Sequence, residues 1–423
     1  MASHRRRFLQ YGAGPLLYPL LGHSSAAPTA AGDLYFPPPD AHGGWRTLSG
    51  ADHIRRTAGM DLDRLHQAFR YTATTSQHGG LLVVRKGWLL YERYFGRAAR
   101  DVTPNMYSVG KTVTSLCCGI LLDEHRDRLP KGLDQEVFTE TYLPESFPLA
   151  DPRQAGIKLG HLLTMTSGMR EGNSGIVRGE VVKLDPQPPA AKLDQDQAAL
   201  RAPMWTHPGG GYSYSSQGVH VVSILMRRIL GMELQAYFDQ KIARPLGFGG
   251  WGYAQNTPAG RLPHTPGGAG LALRATDALR YGYLLLRQGN WLGKQLIPRA
   301  YMDLCRQPSP YNPHSPYSLQ FEVNADGHVF GAPPDTFFKS GAGGFCLYAV
   351  PSLDLVVYKL ASVTRPGANP MPYDLGFGGN TAKTDETRDH WQPGPGDQFH
   401  DGPINGDAAT RRTLEMVIAA IVG

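Results

Sequence analysis

The segment that decides the fold is residues 106–122, MYSVGKTVTSLCCGILL. It follows a turn-like stretch at residues 103–105 and places Ser108 three positions before Lys111, at the head of an apolar run. The pattern predicts a helix from about Ser108 to Leu122, in which positions i and i+3 share one face. The segment therefore indicates either a serine cap beside a solvated lysine or an activated nucleophile.

The chemistry of a nucleophile fits this position. Backbone N–H groups at a helix start favour a developing alkoxide on Ser108. A lysine desolvated beneath the serine has a lowered pKa, so Lys111 can accept the hydroxyl proton. These two residues are the first candidate catalytic pair.

The composition indicates a folded globular protein. The chain has 423 residues, of which 41% are hydrophobic and 18% charged, as in globular proteins. The net charge is +6, but the basic residues form no long run, so nucleic-acid binding is not expected. No later apolar run is long enough to span a bilayer, so stable membrane insertion is not expected either.

The first residues read MASHRRRFLQYGAGPLLYPLLGHSSAAPTAAGD. Arginines come first, then an apolar stretch, then small residues, which is the order of a secretory signal. The Arg-Arg-x-Phe-Leu pattern is similar to a twin-arginine signal. We therefore expect a signal segment at residues 1–31 and export to the periplasm, with a flexible basic tail as the alternative.

The four cysteines indicate neither a metal site nor a fixed disulfide. Cys117 and Cys118 are neighbours in a predicted helix and cannot easily bridge each other. Cys305 and Cys346 could pair in an oxidising compartment, a choice that the sequence leaves open. Because no CxxC or HExxH pattern occurs, we expect no metal and no cofactor.

Strand patterns lie towards the two ends of the chain. Residues 79–96 predict an edge hairpin turning at Arg85-Lys86-Gly87. Further strands are predicted in YSLQFEV (317–323), GFCLYAVP (344–351) and LDLVVYKLAS (353–362), the last two joined at Pro351-Ser352.

Helical patterns lie in the middle of the chain and at its end. They cover residues 61–75, a short helix stopped by Gly168, a helix ending at Gly231, and a final helix at 408–422. Residues 170–203 and 363–406 are predicted to be long loops.

This order predicts a mixed α/β (α+β) fold. An antiparallel sheet flanked by helices is built from both chain ends, with a mainly helical subdomain inserted between them. We expect one domain at 32–423, its sheet part at about 50–105 and 260–423 and its helical part at about 106–259.

Two further segments carry candidate site residues. HPGGGYSYSSQG (207–218) places Tyr214 just before a helix, where a phenol could exchange a proton with Ser108. FFKSGAGGFCLYAV (337–350) opens with Lys339 and Gly341 on one face of a strand. The N–H of Ala342 could join that of Ser108 as an oxyanion hole.

Ser-x-x-Lys at 108–111, Tyr-Ser-Ser at 214–216 and Lys-Ser-Gly at 339–341 occur in this order. Together they resemble the motifs of the serine β-lactamase and penicillin-binding-protein superfamily, most closely its class C branch with related esterases, D-peptidases and 6-aminohexanoate-dimer hydrolases. Connecting segments such as IKLGHLLTMTSGM and IARPLGFGGWG are also similar to that family. The resemblance implies a β-lactamase/transpeptidase-like fold.

The resemblance also implies residue roles: Ser108 as nucleophile, Lys111 as its base, Tyr214 as proton shuttle and Lys339 at the strand bordering the pocket. Ser216 and Ser340 would contact substrate, but they depart from the family pattern. Ser216 stands where lactamases of this branch usually have asparagine, and Ser340 where threonine is common. A serine hydroxyl reaches less far than an asparagine amide, which argues against efficient β-lactam turnover.

The resulting prediction is a serine hydrolase that cleaves an ester, amide or peptide bond through an acyl-enzyme. An alternative with the same fold is a penicillin- or peptidoglycan-binding protein that turns over slowly or not at all. A third reading is an α/β-hydrolase with a Ser-His-Asp triad. It is disfavoured because GYSYS (211–215) lacks the second glycine of a nucleophile elbow and follows no convincing strand.

Overall fold

The computed structural model describes residues 34–76, 78–96, 98–185, 193–257, 260–361, 390–391 and 406–422. All helices and strands given below belong to one compact unit, Phe36–Gly423. The predicted signal segment and almost all of the predicted loop at 363–406 lie outside the described residues.

The α-helices, in chain order, are α1 (Ala51–Ala58), α2 (Leu62–Ala73), α3 (Lys111–Glu124), α4 (Leu159–Leu163), α5 (Gln195–Leu200), α6 (Ser216–Leu230), α7 (Leu234–Phe238), α8 (Ala275–Leu286), α9 (Arg299–Cys305) and α10 (Gly406–Ala419). Both ends of the long helix α6 are set by residues that favour helix termini. In α6, the Ser215 hydroxyl accepts the Gly218 N–H at 3.0 Å, and Gly231 ends the helix at φ +68°. The predicted stop at Gly231 is confirmed.

The strands are β1 (Gly79–Arg85), β2 (Trp88–Phe95), β3 (Ser174–Val177), β4 (Glu180–Lys183), β5 (Trp251–Tyr253), β6 (Asn256–Thr257), β7 (Gly260–Arg261), β8 (Leu271–Leu273), β9 (Asn290–Trp291), β10 (Lys294–Gln295), β11 (Tyr317–Ser318), β12 (Phe321–Val323), β13 (Phe337–Gly341), β14 (Phe345–Val350), β15 (Leu355–Leu360) and β16 (His390–Trp391).

One large sheet has the strand order β11-β12-β13-β14-β15-β1-β2-β16. Its strands come from both ends of the chain, because β1 and β2 precede the helical region and β11 to β15 follow it. Among the described residues its pairings are antiparallel except the short β2–β16 pair. The predicted fold class, an antiparallel sheet from both chain ends flanked by helices, is confirmed.

The first hairpin lies near one end of the sheet, since only the two-residue β16 lies beyond β2. Strand β1 lies inside the sheet, with Val83 opposite Val357 of β15 and Tyr91 of β2. All seven of its residues are buried. The uninterrupted apolar run LLVV (81–84) is the signal for such a strand, because both of its faces are covered.

Helices cover both faces of the sheet. On one face, Phe69 of α2 and Leu414 of α10 pack in a core with Val83, Tyr348 and Val357. On the other face, α8 packs on β14 and β15. Gly282 permits this approach, because a Cβ at that position would press on Val356 at 2.6 Å.

The helical region contains more local structure than the sequence pattern indicates. Residues 170–203 are not one loop, since they form the β3–β4 hairpin and α5. Arg178 and Gly179 turn that hairpin with φ of +50° and +84°, as a two-residue turn with both residues left-handed requires. The short helix predicted to stop at Gly168 ends earlier, at Leu163.

Helix α3 runs through the interior and packs against α6 and α7. It buries both Cys117 and Cys118. All four cysteines are free thiols, so the pairing of Cys305 with Cys346 that the sequence left open is not formed. In the described part of the chain, no helix is long and apolar enough to cross a membrane.

Candidate active site

The site begins at a tight turn rather than inside α3. Residues Tyr107–Gly110 form a 3₁₀ turn, and α3 starts only at Lys111. Sequence periodicity predicts the helix start at Ser108. In a 3₁₀ turn three residues complete one revolution, so residues i and i+3 are eclipsed. This geometry places the Lys111 Nζ 3.0 Å from the Ser108 Oγ.

Backbone contacts on both sides hold this turn. The Met106 N–H donates to the Leu271 carbonyl at 2.7 Å, and the Asn105 side chain accepts the Tyr107 N–H at 2.8 Å. Tyr107 itself adopts φ +50°, a left-handed conformation that costs energy for a residue with a Cβ. Tyr107 directly precedes Ser108, so the contacts that hold the strained backbone of Tyr107 also hold the backbone of Ser108 in place.

Lys111 is fully buried, and its Nζ contacts three oxygen atoms besides the Tyr214 phenol. They are the Ser108 Oγ, the Ser216 Oγ at 3.0 Å and the Gly268 carbonyl oxygen. Burial lowers the pKa of the Lys111 ammonium, because the charged form loses its water. The charge of Lys339 lowers it further, while the Tyr214 phenol acts in the opposite direction.

Tyr214 lies between the two lysines. The Nζ atoms of Lys111 and Lys339 are 4.8 Å and 5.0 Å from the centre of its ring. Burial raises the pKa of the Tyr214 phenol, but the charges of Lys339 and Lys111 outweigh it. Hydrogen bonds with Ser108 and Lys111 add to this effect, and the net pKa is below its ordinary value. The two lysine charges thus make the phenolate form of Tyr214 more accessible than in an ordinary tyrosine.

Lys339 projects from β13 towards the same point. Only 2% of its surface is exposed, and its Nζ donates to the Tyr317 hydroxyl at 3.0 Å. The Glu322 carboxylate lies 4.0 Å from the same Nζ. Two tyrosine rings and a carboxylate therefore compensate the buried charge of Lys339.

The neighbours of Lys339 in the sequence take different positions. The Ser340 hydroxyl donates to Glu322 at 2.8 Å. Gly341 lies against the 3₁₀ turn Tyr107–Gly110, called the nucleophile turn below. A Cβ at Gly341 would overlap the Met106 carbonyl oxygen and reach the Ser108 nitrogen at 3.4 Å. Ala342 is exposed and opens a 3₁₀ turn at the end of β13.

A cavity of about 610 Å³ opens above these groups. It is lined by the predicted residues Ser108, Tyr214, Lys339, Ser340, Gly341 and Ala342, and also by Tyr212, Tyr317, Glu322, Asp326, His328 and Arg411. Lys111 and Ser216 do not line it; they lie behind Ser108. The structure thus brings all eight predicted residues into one region drawn from three distant segments.

Some groups in the site belong to no motif in the sequence. They are the Gly268 carbonyl, which binds Lys111, and Tyr317 and Glu322, which contact Lys339. The run GGAG (267–270) carries a usable signal, since closely spaced glycines mark a place where backbone approaches another group. Tyr317 and Glu322 are ordinary strand residues with no such signal.

The sequence profile of the Beta-lactamase family matches residues 66–374 of this chain. Among curated proteins, none matches the chain.

Solved structures resemble this fold at low sequence identity. A proposed 6-aminohexanoate-dimer hydrolase from Bacillus anthracis has a TM-score of 0.55 and 20% identity, over 79% of this chain and 85% of that one. A hydrolase with promiscuous acyltransferase activity has a TM-score of 0.58 and 19% identity, over 86% and 98%. A penicillin-binding protein homologue from Caulobacter crescentus has a TM-score of 0.54 and 17% identity, over 85% and 98%.

These likenesses establish a shared fold. The family profile spans most of the chain, from α2 past the last strand of the sheet core. It includes all three segments that meet at the cavity. This chain belongs to the Beta-lactamase family and is a serine hydrolase of that fold.

Proposed function

We propose that this enzyme hydrolyses an ester or amide through a covalent acyl-enzyme on Ser108. The observation that carries the proposal is the 3.0 Å contact between the Ser108 Oγ and the buried amine of Lys111. A lysine with a lowered pKa can exist as a neutral amine and accept a proton. A serine in such a contact is the activated nucleophile that acyl transfer requires.

In the acylation step, the Ser108 Oγ attacks the carbonyl carbon of the substrate. Its proton passes to the Lys111 amine and then, through Tyr214, to the leaving oxygen or nitrogen. The bond from the carbonyl carbon to the leaving group breaks, which releases an alcohol or amine and leaves an ester on Ser108. The backbone N–H groups of Ser108 and Ala342 are the proposed donors to the oxyanion.

Deacylation reverses the proton route. A water molecule attacks the ester carbon while the Tyr214 phenolate accepts one of its protons. That proton returns to the Ser108 Oγ as the acyl bond breaks, and a carboxylic acid leaves. The lowered pKa of Tyr214 supports this role, because the phenolate is the form that acts as a base.

The cavity wall supports small uncharged esters and amides as substrates. The Ser340 hydroxyl already donates to a carboxylate, Glu322, so it is not free to donate to the carboxylate of a β-lactam. Ser216 stands where an asparagine would reach towards an acylamide, and its hydroxyl contacts Lys111 instead. We therefore propose esterase or amidase activity with poor β-lactam turnover.

The alternative is slow or absent turnover after acylation, as in a penicillin-binding protein. The short Ser216 side chain is the specific feature that favours it. The two functions differ in the fate of the acyl-enzyme, so a mass measurement over time separates them.

The test combines turnover with intact-mass analysis. Ser108→Ala should abolish hydrolysis of a short-chain p-nitrophenyl ester and prevent labelling by a fluorophosphonate. Ser115→Ala is the matched control, because Ser115 is also on α3 but contacts Tyr301. Undiminished ester hydrolysis by the Ser108→Ala variant would contradict the proposal. A lasting wild-type acyl adduct without product release would favour the alternative.

We also propose export, on the strength of the arginine-containing N-terminal sequence. Expression of the full chain in a bacterium with and without a functional twin-arginine pathway tests this. Periplasmic, shortened protein that appears only with the pathway supports export, and full-length cytoplasmic protein in both strains contradicts it.

A further inference from the structure

A chain of buried and half-buried polar groups extends from Lys111 through residues that do not line the cavity. Asp196 on α5 contacts the His220 Nε2 at 2.9 Å. The Nδ1 of the same ring lies 3.1 Å from the Gly267 N–H. The carbonyl of the following residue, Gly268, accepts from Lys111. His220 therefore lies two contacts away from the amine of Lys111.

The tautomer of His220 follows from these partners. A backbone N–H can only donate, so the Nδ1 facing Gly267 carries no proton. The ring proton is then on Nε2, where it is donated to Asp196. Arg227 also donates to Asp196, at 2.5 Å, and His264 is 3.9 Å from the same carboxylate. These cationic and polar groups keep Asp196 available as an acceptor.

The glycine segment between His220 and Lys111 has little room to move. A Cβ at Gly267 would lie 2.6 Å from the Ser223 hydroxyl, and one at Gly268 would lie 2.5 Å from the Ser216 carbonyl oxygen. The Gly267 carbonyl also accepts from Thr114 on α3 at 2.6 Å. A displacement at the Gly267 N–H is therefore passed on to the Gly268 carbonyl.

The Gly268 carbonyl restricts how the Lys111 amine is oriented. A neutral amine has two N–H bonds and one lone pair, and a carbonyl can only accept. One N–H is therefore fixed on Gly268, while the hydroxyls of Ser108 and Ser216 can each donate or accept. With one N–H held there, the carbonyl's position limits the directions in which the lone pair can point towards Ser108, and the Tyr214 phenol restricts the amine further.

We infer that His220, in the tautomer that Asp196 imposes, is a positioning residue for the general base Lys111. It acts through Gly267 and Gly268 and does not touch the substrate. This inference rests on the proposed function, because it assigns a role only if Lys111 activates Ser108.

A buried Ser-His-Asp array is thereby explained without a second active site. The Ser223 Oγ lies 3.1 Å from the His220 Nδ1, and Asp196 is on the other side of the ring. However, Ser223 is 3% exposed and its hydroxyl donates to the carbonyl of His220 at 2.7 Å. No substrate carbonyl can reach it, so this array positions backbone rather than attacking substrate.

Two substitutions of His220 separate positioning from mere support. Asn has an oxygen where the ring has Nδ1, so His220→Asn keeps an acceptor for Gly267 and loses the bond to Asp196. Gln reaches the place of Nε2, so His220→Gln keeps the bond to Asp196 and loses that acceptor. We expect single-turnover acylation of Ser108 to fall about 10- to 100-fold in His220→Gln and only a few-fold in His220→Asn, with similar KM values.

Asp196→Asn provides a test in a variant of almost unchanged shape. Arg227 attracts the amide oxygen of the new side chain, so its NH₂ faces the His220 Nε2. The ring must then carry its proton on Nδ1, against the Gly267 N–H, as in the wrong-tautomer variants of catalytic triads. We expect acylation to fall as in His220→Gln while the melting temperature stays close to that of the wild type.

His161 is the matched control, since its Nδ1 also accepts a backbone N–H, that of Lys158 at 3.2 Å, in helix α4. The His161→Asn and His161→Gln variants should be acylated on Ser108 at equal rates. Equal acylation rates for His220→Asn and His220→Gln, together with normal acylation by Asp196→Asn, would overturn the inference. Acylation that persists in Ser108→Ala would instead overturn the proposed function, so the two failures can be told apart.

Discussion

The charge of a single lysine sets the ionisation of its neighbours in this site. Lys339 lowers the pKa of both Tyr214 and Lys111. In Lys339→Gln both pKa values should rise, so the neutral amine and the phenolate form only at higher pH. We predict that the ascending limb of kcat/KM for a neutral ester moves to higher pH by about one unit.

A pH–rate profile of the wild type and Lys339→Gln checks this shift. Lys131→Gln is the control, because Lys131 is an exposed lysine whose partner is Glu136. If the limb stays in place while kcat/KM falls, Lys339 binds substrate without setting the ionisation of the base.

Glu322 should make the enzyme select against anionic substrates. The Glu322 carboxylate accepts the hydrogen bond of the Ser340 hydroxyl and lines the cavity. A carboxylate-bearing substrate meets a like charge there, and the adjacent Ser340 hydroxyl is already hydrogen-bonded to it. In Glu322→Gln, the kcat/KM for a p-nitrophenyl ester with a free carboxylate should rise about tenfold relative to its neutral methyl ester.

The control for this ratio is Asp326→Asn. Asp326 lines the same cavity but contacts His328 rather than Ser340. Both carboxylates place a solvent-screened negative charge in the cavity, but only Glu322 also accepts the hydrogen bond of the Ser340 hydroxyl. A similar change in both variants would show that general charge, and not the Ser340 contact, governs selectivity.

At the scale of elements, catalysis depends on how closely β13 approaches the nucleophile turn. A Cβ at Gly341 would overlap the Met106 carbonyl, and backbone on both sides prevents an easy adjustment. Gly341→Ala should therefore separate β13 from Ser108 and lower kcat/KM by about 100-fold. Gly156→Ala, where the added Cβ meets only Pro208 at 3.8 Å, should leave kcat/KM unchanged. Steady-state kinetics with circular dichroism checks that both variants are folded.

The same turn shows which part of an element can be read from sequence. Spacing correctly predicts that Ser108 and Lys111 face one another, because an α-helix and a 3₁₀ turn both bring residues i and i+3 together. It does not predict that α3 begins at Lys111, since that start depends on Asn105 and Leu271 anchoring the turn. Long-range backbone contacts leave no local pattern.

At the scale of the whole molecule, the sequence predicts the antiparallel sheet because its strands have strong local signals. It does not predict which strands that are distant in the sequence become neighbours. The run LLVV indicates a strand covered on both faces, but it does not identify β15, about 270 residues away, as its neighbour. The role inferred for His220 is hidden for the same reason, because its partners Asp196 and Gly267 lie 24 and 47 residues away.

A buried lysine in the central sheet should make the free energy of unfolding depend on pH. Lys359 of β15 is fully buried, and its Nζ donates to the Gly344 carbonyl at 2.8 Å. Burial lowers the pKa of this amine from 10.5 to about 8. Because the unfolded chain holds the proton to higher pH, the contribution of Lys359 to the free energy of unfolding rises above pH 8 and is lost as pH falls through 8.

Lys359→Met isolates this contribution. The buried thiols have raised pKa values and act in the opposite direction, but they are present in both proteins and largely cancel in the difference. The free energy of unfolding of the wild type minus that of Lys359→Met should therefore increase by about 2 kcal/mol between pH 7.5 and pH 9.5. Urea unfolding at several pH values measures it, with the exposed Lys294→Met as control. A difference that does not change with pH would mean that the Lys359 amine keeps its ordinary pKa in the folded sheet.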